Sequence, residues 1–102
     1  MSKIVEIHLP DEIAHYEGDL RYFFDSMIRK LYANRHRGFA EDADLGSLMS
    51  GLFGEIDELV AATKMESQFN AYMEAVDTAI YAFLIGLFLS RLTKRQYEEL
   101  KQ

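Results

Sequence analysis

The stretch that decides the fold is GEIDELVAATKMESQFNAYMEAVDTAI, residues 54–80. It contains two acidic pairs, Glu55 with Glu58 and Glu74 with Asp77, each spaced i, i+3. On a helix that spacing puts both carboxylates of a pair on one face. The pairs are symmetric about Glu66, so an antiparallel helical hairpin turning there brings all four acids to one height at about 1.5 Å of rise per residue. Four converging carboxylates repel one another, and an all-oxygen ligand set suits Mg²⁺, with Mn²⁺ as the alternative. Acids at this spacing more often belong to solvated faces. Here, however, Asp77 lies inside an apolar stripe that includes Met73, Val76, Ile80 and Leu84, and Glu55 borders the stripe of Leu48, Leu52, Ile56 and Leu59. An unpaired charge in that setting is costly. No Lys or Arg stands within a turn of Asp77, so a metal or a cation from elsewhere must neutralise it.

Working outward, the segment before the hairpin predicts a long helix, because Leu20, Phe23, Phe24, Met27, Ile28 and Leu31 recur at helical spacing. Asp19 is placed to cap its start and Gly38 to end it, with Asp11 to Tyr16 adding a turn or two upstream. Ile4 to Leu9 alternates apolar and polar residues ahead of Pro10, the one proline, which predicts an extended arm or short strand. Gly38 to Asp44 reads as a loop, and Asp42 or Asp44 can cap the next helix. That helix carries Gly46, Gly51 and Gly54, each costing about 1 kcal/mol relative to alanine; close approach of another backbone or a ligand would account for them, as would tight helix packing. A turn over Thr63 to Ser67 leads to a third helix ending near Ser90, and Thr93 with Gln96 has the capping-box pattern that opens a short final helix. The organisation expected is a single all-α domain over residues 1–102, with an N-terminal arm (1–18), core helices (19–92) and a short C-terminal helix (93–102).

Composition narrows the function classes. The chain has 102 residues, 49% of them hydrophobic, no cysteine and a net charge of −6. Without cysteine there is no disulfide framework, thiolate nucleophile or zinc ribbon. The start lacks the pattern of a secretory leader, which together with the missing cysteines points to the cytoplasm. The acidic balance argues against a nucleic-acid polymer as partner. The longest apolar run, Ala79 to Leu89, is bounded by Asp77 and Arg91 and is shorter than the roughly 18 residues a membrane span needs; it reads as a helix buried on nearly every side. The positive charges cluster in Arg29, Lys30, Arg35, His36 and Arg37 and again in Arg91, Lys94 and Arg95. The first cluster could hold phosphates while the carboxylates hold metal, although cations also favour helix C-termini through the helix dipole.

GEIDEL followed by EAVDTAIYAFLIG resembles the acidic signature of the MazG-like nucleotide pyrophosphohydrolases, E-E-x-x-E and then E-x-x-D, and KLYANRHRGF (residues 30–39) is similar to the basic segment found upstream in some members. The resemblance covers the chain from about Leu20 to Leu89. It implies that Glu55, Glu58, Glu74 and Asp77 form the Mg²⁺ site and catalytic centre. The implied substrate is a nucleoside triphosphate, cleaved to monophosphate and pyrophosphate. Lys30, Asn34, Arg35, His36 and Arg37 would contact phosphate or base, with Phe39 and Tyr81 as stacking surfaces. Two positions depart from the signature: Gly54 stands where a first acid is usual, and Ile80 where an asparagine often follows the last acid by three residues. Both bear on catalytic strength and substrate choice, so a catalytically weak or inactive nucleotide-binding protein of the same fold is the alternative. A di-iron bundle would require Glu-x-x-His motifs, which neither pair has.

The apolar residues are spread around too much of each helix for a monomer to bury. The expected architecture is therefore a hairpin-based bundle whose four-helix-type core is completed by a homo-dimer or homo-tetramer.

Overall fold

A computed structural model describes residues 2–37, 43–65 and 67–100. All regular elements among the described residues are helical. The arm from Ser2 to Pro10 forms no strand and leads into a 3-10 turn, Asp11–Tyr16. The first helix, α1, runs Glu17–Ala33. It starts two residues before the expected cap, so Asp19 lies in its first turn, where an acid favours the positive end of the dipole. It stops at Asn34, whose N–H reaches back to the Lys30 carbonyl at 3.1 Å. A short 3-10 turn follows, Arg35–Arg37. Gly38, expected to end this helix, and Asp42 lie outside the described residues.

The second helix, α2, spans Leu45–Met65. Asp44 caps it: Oδ1 accepts the Ser47 backbone N–H at 2.7 Å, and that bond lowers the Asp44 pKa from its ordinary value. The third helix, α3, spans Gln68–Leu100. Ser67 caps it by accepting the Asn70 N–H at 3.2 Å. α2 thus ends at Met65 and α3 begins at Gln68, on either side of the symmetry point of the acidic pairs; Glu66 itself lies outside the described residues. The expected break before Thr93 is not there. Thr93 Oγ1 donates instead to the Leu89 carbonyl at 2.8 Å, the back-bonding that a hydroxyl residue makes inside a continuous helix.

α2 and α3 form the antiparallel hairpin, and α1 lies along α3. Leu48 and Ala62 on α2 and Val76 and Ile80 on α3 are the buried hydrophobics among the described residues. α1 docks through a polar and aromatic contact. Ser26 Oγ donates to the Tyr22 carbonyl at 3.0 Å, so it accepts the Tyr72 hydroxyl at 2.8 Å, while Phe23 meets the Tyr72 ring edge-on at 6.0 Å. On another face of α1, Leu20, Phe24 and Ile28 wall a groove of about 930 Å³ with the arm residues Ile4 and Ile7; it is not lined by the acidic pairs.

Two expectations about burial need correcting. α3 contains an 18-residue stretch of mean hydropathy 1.6, long and apolar enough by length and composition to cross a membrane; counting only uninterrupted apolar residues missed this because such a window tolerates one or two charges. Nor is the helix enclosed on nearly every side, since 11% of that window is buried. α2 has 21 residues and α3 has 33, so α3 extends beyond the end of its hairpin partner α2.

Candidate metal centre

Glu55 and Glu58 stand one turn apart on α2, and Glu74 faces them from α3. One oxygen from each of the three carboxylates lies within 4.8 Å of the others. Glu58 is exposed, whereas Glu55 and Glu74 are half-buried. Glu55 Oε2 and Glu74 Oε2 are shut off from solvent and have no hydrogen-bond partner. Burial, followed by the charges of Glu58 and Asp77, pushes Glu55 up to about 7. The same causes in the same order raise Glu74 above the usual carboxylate range.

Asp77, one turn beyond Glu74, is not a member of this triad. Its Oδ1 lies 3.4 Å from Lys30 Nζ of α1, with the two side chains 21% and 34% exposed. The cation that the sequence required from elsewhere is thus a lysine 47 positions away, and no local spacing could have revealed it. Asp77 remains near enough for its charge to act on both Glu55 and Glu74.

Tyr81 forms the neighbouring layer. Its ring lies so close to Gly51 that a Cβ there would collide with it. Gly51 precedes Glu55 by one turn and Tyr81 follows Asp77 by one turn, so this contact sets how closely the two helices approach beside the acids. It accounts for one of the three glycines of α2. Gly46 would place a Cβ in ordinary contact with the Asp44 carboxylate, and Gly54 faces open space. Tyr81 is packed between helices, and its use as a free stacking surface is not what this contact provides. Ile80 is buried at 9% exposure, so the position where the signature often has asparagine is here a core residue.

The basic segment divides. Lys30 turns to Asp77. Arg35 folds back over the Tyr32 ring, 3.7 Å from its centroid, and donates Nη1 to the Tyr32 carbonyl at 2.7 Å. Asn34 terminates α1, and His36 is exposed on the following turn. Phe39 and the side chain of Arg37 lie outside the described residues.

A buried polar atom without a partner is uncommon and costly. Two such oxygens, in a donor set made wholly of carboxylates, are what a hard divalent cation would satisfy. The residues therefore fit Mg²⁺ or Mn²⁺. No family model, curated protein or solved structure matches this chain.

Proposed function

We propose that this chain is a Mg²⁺-dependent nucleoside triphosphate pyrophosphohydrolase of the MazG-like kind, acting in nucleotide-pool cleaning. The observation that carries the reading is the convergence of Glu55, Glu58 and Glu74 from two antiparallel helices with two orphaned buried oxygens. The acidic signature and the basic KLYANRHRGF segment, in that family's order, supply the substrate class. Glu55, Glu58, Glu74 and Asp77 hold the ion, which when bound neutralises phosphate charge and acidifies water. The reaction adds water across the bond between the α and β phosphates. One P–O bond forms, one breaks and pyrophosphate leaves, while the proton of the attacking water passes either to one of the four carboxylates or, without a separate base, to solvent. Lys30, Arg35 and His36 provide cationic or hydrogen-bonding contacts on the α1 side.

A second reading keeps the fold and loses efficient turnover. The buried Ile80 favours it, since no polar group at that position can orient substrate. One assay separates the two: purified protein is incubated with a panel of nucleoside triphosphates, with and without Mg²⁺, and each product is identified. Metal-dependent monophosphate plus pyrophosphate, lost in Asp77→Asn with helix content unchanged, supports the enzyme. Nucleotide-dependent thermal stabilisation without pyrophosphate release supports the binding protein. Full activity in Asp77→Asn sinks the proposed site.

The same reading includes a homo-oligomer without a membrane. A compact monomer of 11.8 kDa exposes about 5,900 Å², whereas this chain exposes 8604 Å². Its radius of gyration is 16.3 Å, against about 13 Å for a compact domain of this length. The surplus surface is of the size that obligate homo-oligomers bury. Phe53, Ile56 and Val60 form an exposed stripe along α2, and Phe83, Leu89 and Leu92 are exposed along α3. Covering both stripes with a second hairpin completes a four-helix core.

A further inference from the structure

We propose that Lys30 is the protein's own counter-cation for the acidic group, a lysine that competes with the divalent ion and is displaced from Asp77 when the ion binds. The inference rests on the metal reading above. Among the cations of the basic segment, Arg29 is tied to Asp25 at 2.7 Å and Arg35 is folded onto Tyr32. Lys30 alone of these three crosses to α3, where its ammonium sits 3.4 Å from the carboxylate next in line after Glu74. Three carboxylates gather without it, and the fourth is held by it.

An ammonium and a hard divalent cation compete for the same carboxylate, because both bind by charge and neither can share that oxygen at full strength. The pair is partly buried, so solvent and salt screen it less than a surface pair. Lys30 therefore lowers metal affinity while the site is free of nucleotide. Displaced, it leaves a positive charge beside the ion, where a triphosphate needs one. Removing a lysine should then tighten metal binding, the reverse of what loss of a merely structural contact would do.

The experiment is Mn²⁺ binding by the full chain, followed by electron paramagnetic resonance without nucleotide, for the native protein, Lys30→Met, Lys30→Arg and Arg29→Met. Lys30→Met should bind Mn²⁺ roughly tenfold more tightly, from loss of one positive charge next to the site. Lys30→Arg should stay near native affinity. Arg29→Met, which removes a charge of the same helix that is paired elsewhere, should change little. Should Lys30→Met not fold, as judged by circular dichroism, Lys30→Gln serves in its place. Equal or weaker Mn²⁺ binding by the folded neutral variant, or equal tightening by Arg29→Met, overturns the proposal while leaving the metal site standing. Absence of Mn²⁺ binding by the native protein overturns both.

Discussion

Raising the pH of the metal-free protein from about 5 to about 8 should lower its stability, and Mg²⁺ should restore it. Glu55 titrates near 7 in the folded chain instead of its ordinary 4.5, because it is partly buried and faces Glu58 on its own helix and Glu74 and Asp77 on α3. Lys30, which reaches this side from α1, is paired with Asp77. A carboxyl whose folded pKa is raised gives a contribution fully present below its unfolded pKa and lost as pH rises through the folded value, so the loss falls between about pH 4.5 and 7. At about 1.4 kcal/mol per pKa unit the whole shift corresponds to roughly 3 kcal/mol. Solvent access to a half-buried group reduces that to about 1–2 kcal/mol. In a domain of this length such a change moves Tm by about 5–10 °C. The assay is thermal unfolding by circular dichroism at fixed protein concentration, with chelator and with Mg²⁺, for the native chain and Glu55→Gln. The native chain should lose Tm with rising pH in chelator and regain it with Mg²⁺, more at pH 8 than at pH 5, since the ion must displace a proton at low pH. Glu55→Gln should show a flatter profile. A Tm that holds steady through this window, or an equal decline in Glu55→Gln, would refute the reasoning.

Other outcomes follow from the packing. The native mass by light scattering should be a multiple of 11.8 kDa, and Phe53→Lys, which puts a charge into the exposed stripe of α2, should shift the population toward monomer; a native protein already monomeric contradicts the oligomeric core. Gly51→Ala and Gly54→Ala should have opposite signs by chemical denaturation. The first forces Tyr81 off α2 and destabilises, while the second gains about 1 kcal/mol of helix propensity in open space. Tyr72→Phe, which removes the hydroxyl joining α3 to Ser26, should cost about 0.5–1.5 kcal/mol and loosen α1 first, visible as faster amide exchange in that helix.

What the sequence made legible was local. The acidic pairs, the turn between them and the Asp44 cap depend on spacings of three or four residues, and a helix converts those spacings directly into one face. The C-terminal boundary is not legible in the sequence, because a threonine hydroxyl can either cap a helix or bond back to the carbonyl four residues earlier, as Thr93 does, and the pattern does not distinguish them. Gly51 is indistinguishable in sequence from Gly46 and Gly54; what sets it apart is the Tyr81 ring lying against it. The basic segment looks like one cluster in sequence, yet Arg29, Lys30 and Arg35 face three different partners, because Arg29 and Lys30 point in different directions from α1 and Arg35 lies beyond its end in the 3-10 turn. Asp77 is the decisive case. Its need for a cation could be argued from its apolar neighbours, but the supplier depended on how α1 docks along α3, and that docking rests on Ser26, Phe23 and Tyr72, residues with no charge signal at all. The same docking puts Lys30, the first residue of the KLYANRHRGF segment, on Asp77 beside the acidic group. A change at Tyr72, which is not itself a proposed ligand, should therefore disturb Mn²⁺ affinity through Lys30 in the same direction as Lys30→Met, only more weakly.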